Sequence, residues 1–123
     1  MKSYYIILSG KPVSTNNLYR HHYRGGRLVV YMTKEGKRIK DNYYWQAKKQ
    51  WQEEKPLKGG LEVEVLLYFG DKRERDIDNY NKIWQDALEG VVFENDKQIE
   101  KMTIIKKYDA KNPRIEVFIK KIK

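Results

Sequence analysis

Asp76, Asp78 and Lys82, with Arg73 and Arg75 just before them, form the densest group of chemically capable side chains in the sequence. Asp76 and Asp78 are two residues apart, so on an extended approach their carboxylates point to the same side. With Asp78 at a helix start, Lys82 lies one turn on and Asp86 a further turn. Carboxylates brought together repel and raise one another's pKa unless a cation sits among them. Ligands that offer only oxygen suit Mg2+ or Mn2+ better than Zn2+. Lys82 then stands where it can stabilise charge on a phosphate or orient an attacking water. Arg73 and Arg75 put cations beside these acids, which suits a phosphate next to a metal. Asp96 comes after the helix, in a turn able to fold back toward the loop. A plainer reading fits the same spacing. Aspartate at a helix start caps free N–H groups and complements the dipole, and lysine four residues on makes an ordinary surface pair.

The elements that would position this group follow from periodicity. Leu61 to Phe69 alternates and then becomes continuously apolar, which reads as a strand closed by Gly70. Tyr80, Ile83, Trp84, Ala87, Leu88 and Val91 recur at helical spacing. An earlier helix is expected from an N-cap at Thr33 to about Glu54, with Ile39, Tyr43, Ala47 and Trp51 on one face and Gly36 weakening its first turn. Residues 4–8 form a first strand, residues 13–17 a polar loop, and residues 28–32 a short extended run. Residues 93–97 are a turn, and the strands at 99–108 and 114–122 are expected to form a hairpin around 109–113. This order predicts an α+β two-layer sandwich, a mixed sheet of about four strands covered by two helices, in one domain spanning 1–123.

Composition narrows the partner. The chain has 123 residues and a net charge of +9, so it suits something negative. Aromatics at 13%, ten of them tyrosine, argue against a disordered basic tail. The lack of cysteine excludes disulfides, thiolate zinc sites and cysteine nucleophiles. No apolar run approaches the roughly 20 residues of a spanning helix, and residues 1–8 make no signal h-region. A cytoplasmic protein without membrane attachment is expected. Tyr19, Arg20, His21, His22, Tyr23, Arg24 and Arg27 gather cations and rings that can neutralise phosphates and stack on bases. The same residues also suit a solvated loop whose tyrosines cover the core edge. Asn16 and Asn17 either face the cleft or make Asx turns. His21 and His22 lack a third nitrogen ligand and are not read as a metal site. Lys106, Lys107, Lys111, Arg114, Lys120, Lys121 and Lys123 either contact DNA or guard exposed strands. The tryptophans Trp45, Trp51 and Trp84 read as core or dimer contacts.

Several segments together resemble the RusA-type Holliday junction resolvases, the crossover junction endodeoxyribonucleases. Residues 13–20 resemble the family's N-terminal loop, and Thr33-Lys34-Glu35-Gly36 with 38–43 the start of its first helix. Arg75-Asp76-Ile77-Asp78-Asn79, Lys82 and Asp86-Ala87-Leu88 match its acidic motif in order and spacing. Glu94-Asn95-Asp96-Lys97-Gln98-Ile99 matches its late acidic turn. The resemblance implies Asp76, Asp78 and Asp96 as catalytic, metal-holding acids and Lys82 as the catalytic lysine. The segment before Asp96 is about one residue short, and Asn95 stands where a second acid can occur. It further implies a homodimer using Mg2+, with Mn2+ as a substitute, that cuts two strands of a four-way DNA junction in recombination and repair. Asp78 would cap its helix while serving the metal. Asn16, Asn17, Tyr19, Arg20, Arg24, Arg27, Arg73 and Arg75 are the expected DNA contacts. A non-catalytic junction-binding protein and a metal-dependent nuclease for other branched substrates or RNA are the alternatives.

Overall fold

A computed structural model describes residues 2–122; Met1 and Lys123 lie outside the described residues. The strand read most clearly from the sequence, β4 (Leu61–Phe69), buries every second side chain from Leu61 to Phe69. It lies inside a four-stranded sheet with β1 (Ser3–Ser9), β5 (Ile99–Tyr108) and β6 (Arg114–Lys121), in the order β1-β6-β4-β5. β6 runs antiparallel to both β1 and β4, whereas β4 and β5 are parallel. The sheet is mixed and four-stranded, as expected for an α+β fold.

The expected hairpin of the last two strands is not formed. The chain leaves β5 at one edge and passes β4 before entering β6. Burial gives the reason: Ile115, Val117 and Ile119 are almost wholly buried, so β6 takes a central place. β5 carries Glu100, Lys101, Lys106 and Lys107 in exposed positions, which suits an edge.

Two helices pack on one face. In α2 (Lys34–Gln50), Thr33 caps the start by accepting from the Gly36 N–H at 3.0 Å. Gly36 is required there, because a Cβ would collide with the Leu18 carbonyl and the Met32 side chain. Ile39, Tyr43 and Ala47 face the core. Gln50 exchanges two hydrogen bonds with the Ile7 backbone, at 2.8 and 2.7 Å, and Gln46 does the same at Ser9, at 2.7 and 3.3 Å. These glutamines stand in for a further strand along the edge of β1. α2 stops before the expected Glu54. Trp51 turns extended, lies tilted against Tyr4 with ring centres 5.1 Å apart, and donates to the Lys55 carbonyl.

The basic-aromatic stretch is ordered rather than loose. A one-turn helix α1 (Thr15–Leu18) leads into β2 (Tyr19–Arg24), which pairs antiparallel with β3 (Arg27–Met32). Gly25 and Gly26 both have positive φ, 57° and 78°, as a two-residue hairpin turn of matching twist requires. α3 (Lys82–Leu88) fills the β4-to-β5 crossover and buries Ile83, Trp84, Ala87 and Leu88. It is shorter than the periodicity suggested. Residues 77–80 form a separate 3-10 turn, and Val91 is buried beyond the helix end. Among the described residues no helix is long and apolar enough to cross a membrane.

Candidate active site

The loop leaving β4 folds around Arg75. Its guanidinium lies 4.4 Å from the centre of the Phe69 ring. It donates to the Asp71 carboxylate at 2.7 Å and to the carbonyls of Asp71 and Arg73 at 3.3 and 3.2 Å. Asp71 also accepts from the N–H and Nε of Arg73, at 3.1 and 3.3 Å. The Arg73 N–H and the Arg75 guanidinium together pull the Asp71 carboxyl down to about 2. The two arginines therefore differ. Arg75 is only 12% exposed and builds the loop, whereas Arg73 is 80% exposed and reaches solvent.

Asp76 and Asp78 follow on this scaffold, at the start of the 3-10 turn Ile77–Tyr80. Ile77 packs against the core and Tyr80 sits edge-on to Phe69 at 5.0 Å, so the turn is anchored while both carboxylates stay exposed. The two acids face each other. The Asp78 carboxylate lies within hydrogen-bonding reach of Asp76 and, with its like charge, pushes the Asp76 carboxyl up. The cap expected of Asp78 is absent. Asn81 precedes α3, and no side chain caps either short helix start here. Asn81 instead donates to the Ile77 carbonyl at 2.8 Å and accepts from the Trp84 indole at 3.1 Å. Lys82 is thus the first residue of α3, not one turn into it. Two exposed, mutually repelling carboxylates with no helix end to serve are a donor set that fits Mg2+, which is held through one or two carboxylates plus substrate phosphates.

Lys82 is held from two sides. Its Nζ lies 3.5 Å from Asp86 Oδ2 and 5.0 Å from the centre of the Tyr19 ring. The Tyr19 hydroxyl donates to the same Asp86 oxygen, and burial together with that bond pushes the tyrosine's pKa strongly up. Tyr19, expected to meet DNA, is committed to this arrangement. Asp86, which the sequence offered through its four-residue offset from Lys82 and its place in the acidic motif, is the residue that ties Lys82 to Tyr19.

Asn16 and Asn17 belong to α1, where Ser14 caps the Asn16 N–H at 3.3 Å and Thr33 donates to the Asn17 carbonyl at 3.1 Å. Arg20 folds back onto the Asn16 carbonyl. Asn17 and Arg73 line the same cleft of about 220 Å³, between residues 11–17 and 69–75. Arg24 and Arg27 flank the hairpin turn, with Arg24 roughly 17 Å along β2 from Tyr19. The structure does not bring them to the acid pair. His21 and His22 occupy successive positions of one strand and so point to opposite faces. Arg114 is spent on Glu116 and Asp109, at 2.6 and 2.9 Å, and on the face of Tyr68. Trp84 is fully buried, while Trp45 is 55% exposed.

Asp96 is elsewhere. It opens a 3-10 turn in which Gln98 donates to the carbonyls of Leu57 and Gly59, both at 2.9 Å. That turn sits at the start of β4, whereas Asp76 and Asp78 follow its end. The expected fold-back toward the 71–75 loop does not occur, because parallel pairing sets the first residues of β4 and β5 side by side. Among the described residues no three acids or histidines form a group able to hold a metal ion.

The model of the family described as endodeoxyribonuclease RusA matches residues 9–120. No curated protein matches the chain. The matched span holds the acid pair, Lys82, the cleft and the turn of Asp96, and it covers nearly the whole sequence; this chain belongs to the RusA family of endodeoxyribonucleases.

Proposed function

We propose that the protein resolves four-way DNA junctions by paired, Mg2+-dependent phosphodiester hydrolysis, as a homodimer acting in recombination and repair in the cytoplasm. The observation that carries this reading is the uncapped, like-charged pair Asp76 and Asp78, on the 3-10 turn that leads into the helix begun by Lys82. In this reading Asp76 and Asp78 hold the ion, with Asp96 as a third acid; Mn2+ substitutes. The chemistry a divalent cation supplies in such a site is charge stabilisation at the scissile phosphate and a lowered pKa for water.

The chain's own residues then have distinct tasks. Arg75 fixes the loop so that the two carboxylates keep their spacing, and Arg73 takes the phosphate backbone. Lys82 presents a positive charge at a set position, where it opposes negative charge developing on the phosphate. Asn16, Asn17 and Arg20 line the approach, and Arg24 and Arg27 meet a more distant part of the DNA from the hairpin tip. Asp96 lies at the other end of β4 within one chain, so the third carboxylate reaches the pair from the second copy of the dimer. Two equal sites related by a two-fold axis suit two symmetric nicks.

The test is direct. A synthetic four-way junction and its linear arms are incubated with the protein and Mg2+. Paired nicks in the junction, abolished by chelation and by Asp78→Asn, are expected. Junction binding without any cutting would make the protein a structure-specific binder instead, and preferential cutting of flaps or RNA would reassign its substrate.

A further inference from the structure

The cleft that holds Arg73, Arg75 and Tyr80, the sequence neighbours of the acid pair, is not lined by Asp76 or Asp78 themselves. Its roughly 220 Å³ lie between two chain segments brought together from distant parts of the sequence. Lys11 and Asn17 line one side, Arg73 and Tyr80 the other, with Phe69 and Arg75 also contributing. Both sides are fixed. The Gly10 N–H donates to the Pro113 carbonyl at 3.1 Å, and Thr33 holds the Asn17 carbonyl. On the far side Arg75 is stacked on Phe69, and Tyr80 packs edge-on to the same ring.

Charge decides what such a cleft accepts. Three of its lining residues are cationic, Lys11, Arg73 and Arg75, against one acid, Asp71. Asp71 is already neutralised by both arginines. Arg73 uses only its Nε in that pair among the described residues, so its terminal nitrogens remain for a two-pronged contact with phosphate oxygens. A cationic cleft with rigid sides recognises an anion at little ordering cost.

Distance decides which anion. Arg73 and Asp76 are three residues apart, so their Cα atoms are separated by at most about 11 Å. A DNA strand advances about 3.4 Å per nucleotide along the helix axis. A phosphate held at Arg73 thus lies only a few nucleotides from one cut at Asp76.

We infer that this cleft is a second phosphate site, in which Lys11, Asn17 and Arg73 grip a backbone phosphate a few nucleotides from the scissile one on the same strand. The inference rests on the proposed cutting at Asp76 and Asp78. It adds a register device: the strand is gripped at two points, so the scissile phosphate cannot slide past the acids.

The test replaces single phosphates of a four-way junction by neutral methylphosphonates, at each position within a few nucleotides of the cut on either side. Affinity is read by fluorescence anisotropy with Ca2+ in place of Mg2+. One position is expected to cost the wild type roughly 10-fold, as loss of a charge-assisted contact does. In Lys11→Ala/Arg73→Ala that same substitution should cost less than about 2-fold, while the effects at other positions persist. Lys11→Gln alone, at an exposed position, should show an intermediate effect and serves if the double variant is poorly folded. The proposal is overturned if no position stands out, or if the penalty survives in the variants. Nicking of the unmodified junction by the wild type in Mg2+ is scored separately, so failure of cutting and failure of this subsite are told apart.

Discussion

An ammonium on the first residue of a short helix swings freely unless its neighbours fix it, and Lys82 has two that do. Asp86 draws Nζ to 3.5 Å, and the Tyr19 hydroxyl holds the Asp86 carboxylate in place. Asp86→Asn and Tyr19→Phe are therefore expected to lower kcat for junction cutting by about 10- to 100-fold, the cost of a misplaced catalytic group. Junction affinity should stay within about 2-fold, and Asp86→Glu should recover part of the rate. An affinity loss with kcat intact would make Tyr19 a DNA contact instead. Asp71 allows a second test at this scale. Its carboxyl is held at about 2, below the ordinary 3.8, by the Arg73 N–H and the Arg75 guanidinium. A depressed folded pKa contributes stability that is present above the unfolded value and is lost as pH falls through the folded one. The melting-temperature gap between wild type and Asp71→Asn should thus be open near pH 5 and close between about 4 and 2; a gap unchanged over that window would deny the loop its anchor. Spacing brought Asp76, Asp78 and Lys82 together but fitted a capped helix start as well as a metal-holding pair, and it was the family resemblance that singled them out. The partnership of Tyr19 with Asp86 was not legible, because it joins residues 67 positions apart.

At the scale of elements, one glycine separates what periodicity can say from what packing adds. Gly36 looks like a defect in the first turn of α2 when judged by propensity. In the fold it is the point where the Leu18 carbonyl and Met32 press against the helix, leaving no room for a Cβ. Because one of the obstructing atoms is backbone, Gly36→Ala should destabilise by about 1–3 kcal/mol despite alanine's better helix propensity. Denaturant melts measure this; a stabilised variant would mean that α1 and α2 are not in contact. The helices and β4 were readable because each keeps one buried face. The pairing of β5 and β6 was misread because a short turn-rich link is shared by hairpins and by crossovers past one strand. Only the burial of Ile115, Val117 and Ile119 against the exposed lysines of β5 distinguishes the two, and alternation alone does not rank strands as central or edge. The tyrosine-rich stretch hid its hairpin for a related reason. β2 is exposed along nearly its whole length, so no hydrophobic alternation marks it, and only the Gly25-Gly26 pair gives the turn away.

At the scale of the molecule, the proposed site draws on acids from two ends of one strand, and the proposal stands or falls on how they could meet. β4 has nine residues and spans roughly 30 Å, with Asp96 beside its start and Asp76 and Asp78 after its end. A single chain would have to break the β4–β5 pairing to unite them. A dimer in which each site takes its pair from one copy and Asp96 from the other needs no such change, and the two arrangements differ in a mixing experiment. Asp78→Asn and Asp96→Asn chains are each expected to cut at least about 100-fold more slowly than wild type, since each alters an acid in every site. In a mixed dimer of the two variants, isolated through different tags, the shared arrangement puts both lesions in one site and leaves the other intact. Such a dimer should nick one strand of a four-way junction at a rate close to that of a single wild-type site, without the paired second cut. If Asp96 served the pair of its own chain, each site of the mixed dimer would carry one lesion and the mixture would remain as inactive as its parents. Recovery of single nicks therefore reads out where the third carboxylate comes from, independently of how many ions the site binds.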